Sequence, residues 1–349
     1  MKQAIQTFIE KPAASEQNFN ELAIDLFKHL YRKNNAYQQY CRRKGIGILQ
    51  VQTWKDIPSV STEAFKNTFL STVPEKECAR VFMTSGTTSG KQGKHYHADL
   101  EIYDLSALRS FREFVSDEIR PMAILFPNVQ EMPNSSLAHY LELHRKHFGT
   151  EDSRHFVTKN GLQLEAFMRW IKEHANIPVI VLGASYSFVH LFDALEEQGE
   201  SLPLHADSLI FDTGGFKSFS RTLEENVFYN KLAQIFHVNI ENLINMYGMT
   251  ELSTQYYAKI TKNQPSIKQA PHWLRFKVVD PITGEEVPKG EVGILVHIDL
   301  ANIHSVPAVQ TSDLAIERDT GFELLGRQAN AEPKGCSLSA KEWLEEKES

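Results

Sequence analysis

Pro178-Val179-Ile180-Val181-Leu182-Gly183 is the stretch on which the fold class turns. A short, continuously apolar run reads as a strand buried on both faces, the kind found in parallel sheets covered by helices. A helical pattern opens at Ser185 and runs through Leu195. On the N-terminal side, helical patterns occupy 99–115, 135–148 and 162–174, and the apolar run Met122-Ala123-Ile124-Leu125-Phe126 lies among them. On the C-terminal side, Ser208-Leu209-Ile210-Phe211 reads as a strand, 221–236 as a helix, and Asn242-Leu243-Ile244-Asn245-Met246 as a strand. Strands alternating with helices predict an α/β fold with a doubly wound, parallel sheet. Further out, 18–43 reads as helical, and Ser61-Thr62-Glu63 starts a short helix. From about Pro271 the period shifts to two, in Leu274-Arg275-Phe276-Lys277-Val278-Val279 and Gly293-Ile294-Leu295-Val296-His297, which predicts a β-rich subdomain. A last helix is expected over 339–346, where Ser339 and Glu342 form a capping-box pattern.

The chain has 349 residues, of which 42% are hydrophobic and 23% charged, ordinary values for a globular protein. A net charge of -7 and the lack of a basic block argue against nucleic acid as a partner. No apolar run approaches membrane-spanning length, and residues 1–5 lack the apolar core of a signal peptide. The three cysteines, Cys41, Cys78 and Cys336, have no metal-ligand spacing, and so odd and sparse a set suggests a reducing, cytoplasmic location.

Four motifs carry chemistry. Thr84-Ser85-Gly86-Thr87-Thr88-Ser89-Gly90-Lys91-Gln92-Gly93-Lys94 joins two strand-like runs, Arg80-Val81-Phe82-Met83 and Lys94-His95-Tyr96-His97. Its glycines let backbone amides approach a ligand, and amides, hydroxyls and ammonium groups together suit a polyphosphate. It is no Walker A loop, because Gln92 stands where Ser or Thr is needed. A solvated hairpin is the alternative. Asp212-Thr213-Gly214-Gly215-Phe216 follows a strand, and Gly214 and Gly215 would admit a flat ligand such as a base, although taken alone the segment reads as a tight turn. Tyr247-Gly248-Met249-Thr250-Glu251 stands at the carboxyl end of another strand. There Tyr247 could stack on a base, Thr250 could donate to a phosphate, and Glu251 could hold Mg2+. In the last motif, Thr311-Ser312-Asp313-Leu314 precedes Gly321-Phe322-Glu323-Leu324-Leu325-Gly326-Arg327. An Asp at a strand end can accept both ribose hydroxyls and Arg327 can bind sugar or phosphate; a hairpin with a salt-bridged Asp accounts for the same residues. The histidines, including His95, His97, His144 and His147, complete no metal set and read as solvated or structural.

The succession of these motifs resembles that of the ANL adenylate-forming superfamily. More narrowly, Lys94-His95-Tyr96, Pro133-Asn134-Ser135-Ser136-Leu137, Thr213-Gly214-Gly215-Phe216-Lys217 and Gly335-Cys336-Ser337-Leu338 resemble the LuxE-type acyl-protein synthetases of bacterial luminescence operons. The resemblance implies an ANL-type adenylating domain, taken as residues 1–325, and a short C-terminal segment at 326–349. It implies a ligase that uses ATP and Mg2+ to convert a fatty or related carboxylic acid to acyl-AMP, then passes the acyl group to a thiol. Cys336 matches the acyl-carrying cysteine, and a reductase or carrier-like protein is the implied acceptor. The site residues are then Ser85, Gly86, Thr87, Thr88, Gly90 and Lys91 of the loop with Thr84 at its start; Gly214, Gly215 and Phe216; Tyr247, Gly248, Thr250 and Glu251; and Asp313 with Arg327. The superfamily's C-terminal lid, with its catalytic lysine, is expected to be nearly absent, with Lys334 and Lys341 as unassigned substitutes. A CoA ligase of the phenylacetate-CoA ligase kind and a non-catalytic nucleotide-binding subunit are the rival readings.

Overall fold

The computed structural model describes residues 1–11, 15–84, 91–214 and 223–327. The chain forms two compact units. One comprises Ser110–Gly248 and Tyr256–Lys268; the other comprises Met1–Arg109, Met249–Gln255 and the described part of Gln269–Ser349.

The first of these is built on the predicted sheet. Strands Met122–Leu125, Ile180–Ala184, Leu209–Thr213 and Leu243–Tyr247 lie side by side in chain order, all parallel. Arg154–His155 extends one edge in parallel, and Tyr256–Lys259 pairs antiparallel on the other. Every residue of Ile180–Ala184 is buried, because helices cover both faces. Val181 and Ile210 pack with Phe188, Phe192, Phe228 and Leu232 from the helices Ser185–Gln198 and Glu225–Phe236. Phe211, one residue on, turns to the opposite face and stacks on Tyr140 of Ser136–Phe148, the centroids 6.1 Å apart. The sheet is therefore doubly wound.

The other unit carries the β-rich part. Leu274–Val279, Val292–Asp299, Ala308–Arg318 and Gly321–Arg327 form an antiparallel meander, and Val60–Ser61 adds in parallel along Ala308–Arg318. Arg80–Met83 and Lys94–His97 pair antiparallel, so the glycine-rich segment is indeed a strand-to-strand connection. The helical stretch expected over 18–43 is two helices, Glu16–Lys33 and Asn35–Arg43. Asn34 breaks it: its amide accepts from Tyr37 N and donates to the Ser305 carbonyl at 2.9 Å, which competes with helix continuation. Among the described residues no helix is long and apolar enough to cross a membrane.

Candidate active site

The start and end of the glycine-rich loop are pinned together. Thr84 N donates to the Gly93 carbonyl at 3.0 Å, and Gly93 N donates to Thr84 Oγ1 at 2.9 Å. Gln92 Nε2 reaches the Thr84 carbonyl at 2.9 Å, and Lys91 Nζ reaches Asn67 Oδ1 at 3.3 Å. Ser85, Gly86, Thr87, Thr88 and Gly90, between these anchors, lie outside the described residues. Glu251 comes to the same place. A β-carbon on Gly93 would lie 3.1 Å from Thr84 Cγ2 and 3.3 Å from Glu251 Oε1, so glycine is what lets the carboxylate approach the loop's base. Thr84, Gly93 and Glu251, distant in sequence, therefore form one cluster.

Glu251 is only 6% exposed. Burial is the main influence on its carboxyl and, with the negative charge of Asp313, pushes its pKa up to about 7, against the opposing pull of Arg327 and Lys66. At neutral pH the side chain stands between its charged and neutral forms. Mg2+ commonly binds through one or two carboxylates plus substrate phosphates rather than a protein cage. Among the described residues there is no group of three or more His, Cys, Asp or Glu that could hold a metal ion. A single hard oxygen ligand, buried beside a candidate phosphate loop, fits that mode. Thr250, next to it, is held through its backbone: His95 Nδ1–H donates to the Thr250 carbonyl at 2.8 Å. Burial lowers the His95 pKa to about 4, so the ring is neutral, and its buried Nε2 has no hydrogen-bond partner among the described residues.

Asp313 was expected at a strand end, but it lies inside Ala308–Arg318, where the register pairs it with Arg327. Arg327 Nε donates to Asp313 Oδ1 at 3.0 Å. The hairpin with a salt-bridged Asp is thus the arrangement present, and it keeps both residues at one place. Arg327's side chain is 74% exposed while Asp313's is 8% exposed, so the pair adds little stability and the guanidinium stays accessible.

In the other unit the strands Leu209–Thr213 and Leu243–Tyr247 run side by side and parallel, so Gly214 and Gly248 follow at adjacent carboxyl ends. Gly214 has φ +79, a conformation L side chains rarely adopt. Asp212 beneath it is 2% exposed. It accepts from Ser185 Oγ at 2.8 Å, Asn245 Nδ2 at 3.0 Å and Tyr229 OH at 3.2 Å. Burial still pushes its pKa up to about 6. Tyr247 is buried, its ring 5.9 Å from that of Tyr256. Gly215, Phe216 and Cys336 lie outside the described residues. Sequence reasoning missed the side chains that hold the backbone around Glu251, namely Asp299 and Asn302. They have no motif of their own, and their partners are 45 to 51 positions away in sequence.

A family model described as acyl-protein synthetase, LuxE, matches residues 10–345. The chain belongs to that family. As an acyl-protein synthetase it is a ligase that activates a carboxylic acid with ATP and passes the acyl group to a thiol. It is similar to the long-chain-fatty-acid–luciferin-component ligase of Vibrio harveyi, 25% identical over 340 residues that cover 93% of this chain and 87% of the relative. The ligase of the same description from Aliivibrio fischeri is 23% identical over 357 residues, 95% of this chain and 91% of the relative. Among solved structures, an open conformation of 2-hydroxyisobutyryl-CoA ligase in complex with 2-HIB-AMP and CoA aligns with TM-score 0.67 and 14% identity, covering 92% of this chain and 68% of that one. ATP-bound MatB from Rhodopseudomonas palustris aligns with TM-score 0.52 and 14% identity, over 73% of this chain and 49% of that one. At such identities the likeness is one of fold, and that fold is the adenylate-forming one expected.

Proposed function

We propose that this acyl-protein synthetase activates a long-chain fatty acid and delivers the acyl group to a protein acceptor through Cys336. The observation that carries the site assignment is the convergence of Glu251 on Thr84 and Gly93 at the base of the glycine-rich loop. A fatty-acid carboxylate oxygen attacks the α-phosphorus of ATP, forming acyl-AMP as pyrophosphate leaves. Backbone amides and hydroxyls of residues 84–90, with Lys91, hold the β- and γ-phosphates and stabilise the charge that collects on the leaving group. Glu251 and the substrate phosphates would hold Mg2+, which supplies further neutralisation of that charge. Asp313 accepts the ribose hydroxyls, with Arg327 beside it. Gly214, Gly215, Phe216, Tyr247 and Gly248 supply the surface for the base. In the second half-reaction a thiolate attacks the acyl carbonyl and AMP leaves with the electron pair of the broken bond. Residues 326–349 are assigned as the segment carrying that thiol. The ligases of Vibrio harveyi and Aliivibrio fischeri, whose descriptions name long-chain fatty acids, support the choice of acid.

The test is acid-dependent exchange of labelled pyrophosphate into ATP, run without any thiol over acids of graded chain length, followed by addition of CoA. Exchange that peaks with long-chain acids, with no acyl-CoA formed, is expected. Exchange favouring short or aromatic acids, with rapid acyl-CoA formation, would select the CoA-ligase reading instead. A chain that binds ATP but exchanges nothing would be a nucleotide-binding subunit.

A further inference from the structure

The backbone on both sides of Glu251 is gripped by side chains rather than by a sheet ladder. Asn302 works in two directions. Its Nδ2 donates to the Glu251 carbonyl at 3.0 Å, while its Oδ1 accepts from Ser253 N at 2.9 Å and Ser253 Oγ at 2.7 Å. Asp299 takes the next residues. Its Oδ2 accepts from Ser253 N and Thr254 N, each at 2.9 Å, and its Oδ1 accepts from Thr254 Oγ1 at 2.7 Å and Ala301 N at 2.9 Å. Three backbone amides and the Thr254 hydroxyl face the Asp299 carboxyl, although the residue is 0% exposed and burial pushes its pKa up to about 6. An apolar residue would fill the same space without desolvating a charge. Both gripping residues sit at the end of the Val292–Asp299 strand, on a tight turn closed by Asn302 N donating to the Asp299 carbonyl at 3.2 Å. On the other side, His95, which is 1% exposed, holds the Thr250 carbonyl.

We propose that Asp299, Asn302 and His95 are positioning residues for adenylation, which fix the backbone at 250–254 and so aim the Glu251 carboxylate at the loop. The inference rests on the role proposed for Glu251. Its logic is geometric. A carboxylate on a flexible loop would need to be reoriented in each turnover, and misplacement by about 1 Å can cost about 100-fold in rate. Holding the carbonyls of Thr250 and Glu251 and the amides of Ser253 and Thr254 leaves the Glu251 side chain little freedom beyond its own rotamers.

The experiment uses the full chain and pyrophosphate exchange, with the melting temperature as control. Asn302→Asp keeps the acceptor for Ser253 but replaces the donor to the Glu251 carbonyl with a charged oxygen. At pH 8 it should lower the exchange kcat about tenfold or more while leaving the ATP KM within about twofold. Asn302→Ala, which removes donor and acceptor together, should lose at least as much kcat as Asn302→Asp. A second pair covers the case in which Asn302 variants do not fold. His95→Asn keeps a donor near the Nδ1 position and should retain most of kcat, whereas His95→Leu should lose it. Wild-type kcat in folded Asn302→Asp and His95→Leu, with Glu251→Gln inactive, would overturn the inference alone. Full activity in Glu251→Gln would instead remove the role on which it rests.

Discussion

In the role proposed for it, Glu251 meets two opposed demands: to bind a cation it must be ionised, and its burial resists ionisation. Its folded pKa, about 7, is raised above the ordinary value of 4.5. A raised carboxyl pKa means that the folded state holds its proton more tightly than the unfolded chain. The stability this contributes is fully present below pH 4.5 and is lost as pH rises through about 7. Glu251→Gln, always neutral, escapes that loss. It should therefore melt higher than wild type at pH 8, by an amount worth up to a few kcal/mol at about 1.4 kcal/mol per pKa unit, and the advantage should vanish below pH 4.5. The same variant should lose adenylation by a few kcal/mol of transition-state stabilisation. Calorimetry and pyrophosphate exchange on one preparation check both, and a variant that melts lower at pH 8 while exchanging normally would refute them together. A linked expectation concerns the metal. Protons and Mg2+ compete for this carboxylate, so the Mg2+ concentration giving half-maximal exchange should rise as pH is lowered below about 7, approaching tenfold per pH unit. An Mg2+ requirement that is flat from pH 8 to pH 5.5 would place the ion elsewhere.

At the scale of elements, the hairpin Arg80–Met83/Lys94–His97 and the turn after Leu243–Tyr247 matter for what they bring together. Gly93→Ala tests this. The added methyl would sit 3.3 Å from Glu251 Oε1 and 3.1 Å from Thr84 Cγ2, both at the ends of side chains that can yield a few tenths of an ångström. The fold should absorb it at a cost of about 1 kcal/mol, the low end for overpacking, whereas the displaced carboxylate should cost exchange activity severalfold or more. An unchanged kcat in a well-folded variant would mean that Glu251 and the loop do not act together. For Asp313→Ala, loss of the pair with exposed Arg327 should cost no more than about 1 kcal/mol of stability. The ATP KM should rise while kcat changes little, because a ribose contact is alike in ground and transition states. The parallel strands were legible because apolar runs such as Ile180-Val181-Leu182 end in glycine or a helix start. Asp313's place was not, because the polar run Thr311-Ser312-Asp313 reads as a strand end, yet it continues a strand whose neighbours supply the hydrogen bonds. Asn34 was hidden in a helical pattern, where an Asn that caps looks like any polar surface position. His95 reads as solvated or structural in the sequence; it is buried, and that it holds the Thr250 carbonyl is a long-range fact no spacing rule contains.

For the whole molecule the question is how two half-reactions share one chain. The family match over residues 10–345 takes in Cys336, whereas the described residues proposed for adenylation all precede it. The two described cysteines are poor carriers. Burial pushes the Cys41 thiol up to about 12, and it raises that of Cys78 too, reinforced by the charges of Glu75 and Glu77. Thiolate, not thiol, is the nucleophile, so at pH 8 neither competes well for acyl-AMP. Cys336→Ser should therefore keep pyrophosphate exchange at wild-type rate, because no thiol takes part in acyl-AMP formation. It should lose the enzyme-bound acyl group, because a serine hydroxyl without a base is a weak nucleophile. Incubating wild type with ATP and a long-chain acid should add one acyl mass, released by neutral hydroxylamine as a thioester is, and Cys41→Ser and Cys78→Ser should add it equally. An adduct that survives Cys336→Ser, or that maps to Cys41 or Cys78, would show that the thiol pKa values do not govern the choice of carrier and would detach the second half-reaction from residues 326–349.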